Sequence, residues 1–425
     1  MKTVAVWLDD AVPPALPRPP LPERVDVVVV GAGYTGLSAA LALARAGASV
    51  AVFDRGPVGA GASSVNGGQL CPGLKPSAPL LFQRYGEALG RELWQASVDA
   101  VHDVENLIRD EGIDCGYAPT GGLSLAFRPS HYERQARAAE WLRKNLGYER
   151  ELIPRERMRQ EIGSDVFFGG LLDRRGGGVH PLKLAHGLAR AASAAGALVF
   201  ERTPVDGFRP QPGGGFVVEI RDREVRAREI LVATNGYTDH LVPGLAARVI
   251  PIGSYIIATE PLPPELQREL SPNGRMFFDT RWFLNYFRLT PDGRVAFGGR
   301  NNLSTDLPLE ESAANLRASL LRVFPQLAGV AVTHSWTGRL GFSFDLLPHI
   351  GRIGGVHYAL GYSGHGVALS VHLGREVARL LAGSGGTGER SPFAEIEHER
   401  HFFYGGTPWF LPLAAAFYKL RDRLG

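Results

Sequence analysis

Residues 25–54 read VDVVVVGAGYTGLSAALALARAGASVAVFD, and this stretch decides the fold of the chain. The short apolar run at residues 25–30 predicts a buried strand. The Ala- and Leu-rich segment 34–46 predicts a helix, and residues 49–53 predict a second strand. A strand, turn, helix and second strand in this order indicate the first unit of a parallel α/β sheet.

Three glycines follow the first strand at GxGxxG spacing, namely Gly31, Gly33 and Gly36, and the second strand ends on Asp54. This pattern is typical of dinucleotide binding, because the glycines permit a tight turn, close approach of a pyrophosphate and close helix packing. The helix N-terminus directs free N–H groups toward the phosphates, and Asp54 can accept hydrogen bonds from a ribose. The alternative is a glycine-rich turn in an unrelated α/β protein.

Composition excludes several classes of function. The 425 residues suffice for two domains, and a net charge of +3 is too small to indicate nucleic acid as a partner. Two cysteines, Cys71 and Cys115, provide no disulfide framework and favour a reducing cytoplasm. We find no signal-peptide pattern, no apolar run of about 18 residues that could span a membrane, and no metal-ligand spacing among the histidines.

The remaining pattern predicts a discontinuous Rossmann-like domain and a second α+β domain built on an antiparallel sheet. Strands rich in aromatic and β-branched residues at 246–303 indicate that sheet. We assign residues 25–78, 150–245 and 330–384 to the first domain, and residues 79–149 and 246–329 to the second.

Two terminal segments flank these domains. Residues 1–24 form a proline-rich lead-in that is either pinned through apolar residues such as Trp7 or loose. The tail at 385–425 contains a short amphipathic helix, which docks on the body of the protein, on another subunit or on a membrane surface. Docking on the body is the simplest of these three interpretations.

Six motifs, taken in chain order, resemble one known family. They are VGAGYTGLSAALALA, GASSVNGGQ, LVATNGYT, YFRLTPDGRVAFGGR, WTGRLGF and GYSGHGVALSVHLGREVA. Together they resemble the FAD-dependent amine and amino-acid oxidoreductases of the D-amino-acid oxidase type, and within that family the γ-glutamylputrescine oxidases most. The first motif alone is generic, whereas GASxxNGGQ combined with GYSGHG is specific to this group.

The resemblance implies FAD at named positions. The expected cofactor-binding residues are Gly31, Gly33, Tyr34, Thr35, Gly36, Asp54, Arg55, Gly61, Ala62, Ser63, Asn66, Gly67, Gly68, Gln69, Val205, Ala233, Asn235, Gly338, Gly364, His365, Gly366 and Val367. The SGHG segment also has a physical rationale, because the start of a helix favours the negative charge of a reduced flavin. His365 could add a hydrogen-bond donor there, or it could be a satisfied structural histidine.

Amine oxidation by a flavin requires orientation and electrostatics from the protein more than acid–base groups. As catalytic candidates we take Tyr286, Arg288 and His365, and as substrate-binding candidates Tyr255, Asn285 and Arg339. Tyr and Arg together suit a substrate carboxylate through charge-assisted hydrogen bonds. The alternative for each aromatic is sheet packing, and for each arginine a surface ion pair.

The expected reaction is oxidation of a C–N bond in a small amine or amino acid, γ-glutamylputrescine or a related molecule, to an imine that water hydrolyses to a carbonyl. Oxygen would be the acceptor and hydrogen peroxide the product. The RLGFSFD stretch lacks the cysteine that attaches flavin in sarcosine oxidases, so we expect noncovalent FAD. Ala296 stands where such enzymes carry a lysine that promotes oxygen use, which keeps open a dehydrogenase that passes electrons to a quinone or carrier. A noncatalytic flavoprotein and an NAD enzyme are weaker alternatives.

Overall fold

A computed structural model of the chain describes residues 1–300, 302–383 and 390–424. Its strands are β1 (Arg24–Val30), β2 (Val50–Phe53), β3 (Gln69–Leu70), β4 (Gly122–Leu125), β5 (Glu151–Pro154), β6 (Gly169–Asp173), β7 (Gly177–Gly178), β8 (Leu198–Phe200), β9 (Gly207–Pro210), β10 (Phe216–Ile220), β11 (Arg223–Val232), β12 (Ile250–Thr259), β13 (Met276–Asp279), β14 (Asn285–Leu289), β15 (Val295–Gly299), β16 (Val332–Phe342), β17 (His349–Ile353) and β18 (Val356–Leu360). Its helices are α1 (Tyr34–Arg45), α2 (Ala62–Val65), α3 (Ala78–Asp110), α4 (Pro129–Leu146), α5 (Pro181–Ala194), α6 (Pro264–Leu270), α7 (Leu309–Val323), α8 (Gly366–Leu381) and α9 (Leu411–Leu424).

The first sheet has the strand order β17-β18-β11-β1-β2-β8, with β10 and β9 attached to β11. β1 pairs in parallel with both β11 and β2, as the Rossmann-like prediction requires. Successive positions of β1 are valine rather than alternating apolar and polar residues, because both faces of the sheet are covered by other parts of the chain. Val27 and Val29 pack in the core that contains α1 and α8, and Val28 packs in the core that contains β10. The predicted α/β fold class is confirmed.

The second sheet has the order β16-β12-β15-β14-β13-β4-β6-β5. Its neighbours pair antiparallel except β13 and β4, which are parallel. The sheet is thus antiparallel as predicted, with one parallel junction. The parallel pair arises because the chain leaves β4 and returns to its side only after the long excursion through β12, so the direction of β13 is set by tertiary packing.

Sheet membership differs from the predicted boundaries in two places. β5 and β6 fall in the segment 150–245 that we assigned to the first domain, yet they pair with β4 in the second sheet. β16 falls in the segment 330–384, yet it pairs with β12 along the length of that strand. Nonlocal pairing of this kind leaves no signature in a local pattern. The division into domains stays a prediction, and its boundary at 384 lies outside the described residues.

Both terminal segments pack on the body. In the lead-in, Ala5, Val6 and Trp7 are buried, and they share a small core with Trp336 and Leu182. The lead-in is therefore pinned over this part of its length. One side of α9 packs against β12 and β16. Among the described residues, no helix combines the length and apolarity that crossing a bilayer requires.

Candidate cofactor and substrate site

Three adjoining cavities extend from the carboxyl end of β1 to the face of the second sheet. We name them the outer, middle and inner cavities, and their volumes are about 300, 360 and 340 Å³. The outer and middle cavities share Gly31 and Asp54 in their walls. The middle and inner cavities share Asn66 and Gly364. The three spaces therefore form one continuous groove between the two sheets.

Most of the predicted cofactor residues line this groove. The outer cavity is lined by Val205 together with Gly31, Asp54 and Arg55. The middle cavity is lined by Gly31, Gly33, Tyr34, Thr35, Asp54, Arg55, Gly61, Ala62, Ser63, Asn66, Ala233, Asn235, Gly364, Gly366 and Val367. The inner cavity adds Gly67, Gln69, Gly338 and His365. Of the predicted set, Gly36 and Gly68 do not line the groove.

The turn after β1 is built so that only glycine fits. Gly31 has φ of +112°, and a Cβ atom there would lie 2.8 Å from the carbonyl oxygen of Ala233. A Cβ on Gly36 would lie 1.9 Å from the carbonyl oxygen of Gly31, so α1 starts in direct contact with the turn. The Tyr34 N–H at the start of α1 donates to Ser63 Oγ at 3.1 Å. Tyr34 and Thr35 line the middle cavity, so the positive end of the helix dipole lies beside that cavity.

Asp54 stabilises the turn after β1 by accepting backbone hydrogen bonds. Its Oδ2 accepts a hydrogen bond from the Ala32 N–H at 2.7 Å, and its Oδ1 accepts one from the Gly56 N–H at 2.8 Å. Burial raises the pKa of this carboxyl group, while the two backbone donors stabilise its charged form. The carboxylate is thus fixed at the junction of the outer and middle cavities, where it can also accept from a ligand hydroxyl.

The loop 61–69 borders both the middle and the inner cavity and is held by its own side chains, Asn66 and Gln69. Asn66 donates to the Ala62 carbonyl at 3.0 Å and accepts from the Gly68 N–H at 2.8 Å. Gln69 Nε2 donates to two backbone carbonyls of the second sheet, that of Phe277 in β13 at 3.3 Å and that of Phe287 in β14 at 3.2 Å. The glycine-rich loop is therefore pre-ordered against the second sheet.

His365 stands at the N-terminal end of α8 and faces the inner cavity. Burial and the positive charges of Lys75 and Arg300 lower its pKa to about 3, so the imidazole is neutral near pH 7. Its Nδ1 is buried and has no hydrogen-bond partner among the described residues. The ring therefore lines the inner cavity, but its Nδ1 is enclosed by protein and is not itself exposed to a ligand, so the role of His365 stays a prediction.

Tyr286 covers the sheet side of the inner cavity. Its hydroxyl lies 2.9 Å from Ser254 Oγ, and burial raises its pKa to about 12, so it stays protonated. Two glycines leave room for its ring. A Cβ on Gly67 would lie 3.0 Å from Tyr286 Cε2, and a Cβ on Gly298 would lie 2.2 Å from Tyr286 Cζ. The ring is therefore held between the loop and β15.

Two cations in the inner cavity were missed by the sequence analysis, Arg300 and Lys75. Neither makes an ion pair with any residue that the structure describes, although Arg300 lies 5.0 Å from the ring of Phe342. Burial and the charge of Arg300 lower the pKa of Lys75 to about 7. Arg300 directly follows the GG that ends β15, a position that in retrospect signals a side chain at the sheet edge.

Four predicted substrate or catalytic residues lie elsewhere, and the reasons are physical. Tyr255 is fully buried in the far core, where its hydroxyl donates to the Ser304 carbonyl at 2.9 Å. Asn285 is also buried on that face of the sheet, because side chains alternate and its neighbour Tyr286 takes the cavity side. These two predictions are therefore corrected.

The two predicted arginines also require correction. Arg288 is buried behind the loop 61–69, where its Nη1 donates to the Gly68 carbonyl at 2.7 Å and its guanidinium lies 5.4 Å from the ring of Trp7. Burial lowers the pKa of Arg288 to about 10, which leaves it charged at neutral pH. Arg339 is exposed and lies beside the ring of Tyr237. Neither residue lines the inner cavity.

Comparison with known proteins agrees with the fold and the groove described above. The family model described as "FAD dependent oxidoreductase" matches residues 26–380. The chain is 36% identical to gamma-glutamylputrescine oxidoreductase of Escherichia coli K12 over 94% of its own length and 93% of that protein. It is 27% identical to glycine oxidase of Geobacillus kaustophilus over 88% of its length and 98% of that protein. The crystal structure of glycine oxidase from Geobacillus kaustophilus superposes with a TM-score of 0.74 at 22% identity, over 89% of this chain and 100% of that one.

Proposed function

The chain belongs to the family of FAD-dependent oxidoreductases described as DAO, and on this premise we propose that it oxidises the C–N bond of a small amine or amino acid that carries a carboxylate. The product would be an imine that water hydrolyses to a carbonyl compound. The observation that carries this proposal is the inner cavity, where Arg300 and Lys75 adjoin the groove that fits the cofactor and pair with no acid among the described residues.

The groove fits FAD in shape and in chemistry. The turn at Gly31 and the start of α1 leave the space that a pyrophosphate needs, since any side chain at Gly31 would meet the Ala233 backbone. Asp54 would hold the adenosine ribose, and Val205 lies in the cavity that would take the adenine. The loop 61–69 and the start of α8 would hold the flavin ring. FAD, when bound, supplies the two-electron oxidation of the substrate.

We expect the flavin to be held without a covalent bond. Cys71 lines the inner cavity, but burial raises the pKa of its thiol to about 12, and the negative charge of Asp173 acts in the same direction. A protonated thiol is a poor nucleophile, so Cys71 is unsuited to forming a bond to the cofactor. Release of the yellow chromophore on acid denaturation would test this point.

The charges of the inner cavity select the substrate. Among the described residues that line it, none is Asp or Glu, whereas Lys75, Arg150 and Arg300 are basic. Arg150 is neutralised by Asp173 at 2.9 Å, so Arg300 supplies the main positive charge of the space. A guanidinium without a carboxylate partner suits bidentate binding of a substrate carboxylate. Arg300 would therefore bind the acidic end of the substrate, and the amine would lie beside Tyr286 and Lys75.

Lys75 would accept a proton from the substrate ammonium group. An amine must be neutral before its C–N bond can be oxidised, and a free alkylamine of pKa about 10 is mostly protonated at pH 7. Lys75 has a pKa of about 7 and is half-buried in the cavity wall. Its neutral form is therefore available to take that proton at the pH of a cell. Tyr286, which stays protonated, would orient the substrate by its hydroxyl.

The electron acceptor is proposed as oxygen, with hydrogen peroxide as the product. A dehydrogenase that uses a quinone or carrier is the second candidate. It is favoured by Ala296, which is buried against Trp7 and Trp336 and puts no cation into the groove from β15. Measuring peroxide under air beside reduction of an artificial acceptor separates the two.

The reaction itself is tested by anaerobic reduction of the bound flavin. γ-Glutamylputrescine, which carries a carboxylate, should bleach the flavin absorbance at low concentration, and putrescine should do so only weakly. Equal reduction by both amines would contradict the assignment of Arg300 to a carboxylate. Failure of every amine and amino acid in a broad screen would contradict the proposed reaction.

A further inference from the structure

The C-terminal helix α9 carries a second apolar side that no part of the described chain covers. Leu413, Phe417 and Leu420 lie on one face at helical spacing and are 70%, 55% and 53% exposed. The opposite face is satisfied, because Leu411 and Ala415 are buried against Ile250 and Phe342. A helix that is apolar on two sides is stable in water only where both sides are covered, so the outer side indicates a missing contact.

Exposed aromatic rings also lie on the segments beside this helix. Phe402 and Trp409 precede the helix and are exposed by 102% and 61%, and Trp282 is stacked on Tyr418 at 5.2 Å. The described chain has 12 exposed large apolar side chains. Seven of them form what we call the C-terminal patch, defined as Trp282, Phe402, Phe403, Trp409, Leu413, Phe417 and Leu420. Such exposure is therefore concentrated rather than scattered.

The charges beside the patch are basic. Residues 399–424 contain four Lys or Arg and two acids in the sequence. Both acids are engaged, since Glu399 pairs with His401 and Asp422 accepts from the backbone N–H groups of Trp282 and Phe283. Arg421 lies 4.7 Å from the Trp282 ring, and Lys419 lies 5.7 Å from the Phe283 ring. Their stems thus lie on the aromatic surface, while their side chains stay exposed.

We propose that the C-terminal patch rests on the surface of a bilayer that contains anionic lipid. Aromatic and leucine side chains with neighbouring Lys and Arg are the composition of helices that lie in the plane of a membrane interface. The apolar face would enter the acyl boundary, and Arg400, Lys419 and Arg421 would contact the headgroups. This inference goes beyond the proposed function and does not depend on it.

A second copy of the chain fits the patch less well. A twofold dimer would place the patch against itself and so bring Arg400, Lys419 and Arg421 toward their equivalents. Like charges brought together at an interface oppose association, whereas anionic headgroups attract the same residues. The charge pattern therefore favours lipid over self-association.

Vesicle sedimentation of the FAD-loaded full-length protein tests the proposal. Phosphatidylcholine vesicles containing phosphatidylglycerol should bind the wild type, pure phosphatidylcholine vesicles should bind it more weakly, and added salt should release it. The variant Leu413→Ser/Phe417→Ser/Leu420→Ser should bind at least about tenfold more weakly, because it removes most of the apolar face of the helix. Its flavin absorbance and melting temperature should be unchanged, because these side chains are exposed.

A matched control replaces exposed apolar residues outside the patch, as in Leu8→Ser/Val12→Ser/Leu380→Ser, and should bind vesicles like the wild type. Equal loss in this control would overturn the proposal, as would the absence of wild-type binding to anionic vesicles. Light scattering, which measures the oligomeric state, distinguishes lipid binding from self-association. A dimer that the patch variant dissociates, with no binding to vesicles, would assign the patch to a second copy instead.

Discussion

Replacing Arg300 by Met removes the guanidinium from the inner cavity while keeping much of its length. In the wild type this side chain has no carboxylate partner among the described residues, so its hydrogen-bonding capacity is available to the substrate. A hydrogen bond to a charged group contributes about 1.5–3 kcal/mol, and a bidentate pair forms two that share the cost of ordering the side chain. A loss of about 3 kcal/mol corresponds to a decrease of roughly 100-fold in kcat/KM for a substrate with a carboxylate.

The assay compares γ-glutamylputrescine with putrescine under identical conditions, since only the first carries a carboxylate. The decrease should appear mainly as a higher KM and should be confined to γ-glutamylputrescine. Arg339→Met is the matched control, because Arg339 is exposed and does not line the cavity. The reasoning is refuted if Arg300→Met impairs both amines equally, or if Arg339→Met is the variant that loses γ-glutamylputrescine.

Further predictions address the walls of the site. Gly298→Ala should displace the Tyr286 ring, because the new Cβ would lie 2.2 Å from Cζ. Overpacking of this kind costs about 1–3 kcal/mol and should lower both the melting temperature and kcat. Unchanged values of both would contradict the described ring position. Arg288→Met should leave the Gly68 carbonyl without its donor at a cost of about 1–3 kcal/mol and weaken FAD binding in a fluorescence titration, whereas a selective loss of substrate affinity would return Arg288 to the substrate site. The kcat/KM of the wild type should rise with pH through about 7, because protonated Lys75 cannot accept a proton below that pH. The variant Lys75→Met should lack this rise in kcat/KM. If the rise persists in the variant, another group titrates there.

The dinucleotide unit could be predicted from the sequence because its determinants are local. Apolar strand, glycine spacing, helix and terminal acid all lie within 30 residues, and β1, α1 and β2 follow the predicted bounds closely. The second sheet could be predicted as a sheet but not in its order, since β16 and β5 reach it from distant parts of the chain.

The residues of the inner cavity were harder to predict from the sequence, because strand alternation decides which residue of each neighbouring pair faces the cavity. Ser254 faces it and Tyr255 does not, and Tyr286 faces it while Asn285 does not. An error of one residue in the phase of a strand moves every side chain to the other face. Lys75 presented a different difficulty, because it lies in a loop with no periodic pattern, and only the folded structure brings it near Arg300.

Anaerobic titration of the FAD-loaded protein with γ-glutamylputrescine tests the central claim most directly, namely that the groove holds FAD beside a cavity for an amine with a carboxylate. The account predicts one bound FAD per chain and complete bleaching of the flavin absorbance, with formation of the corresponding carbonyl product. A protein that fails to retain FAD, or bound FAD that no carboxylate-bearing amine bleaches, would contradict it.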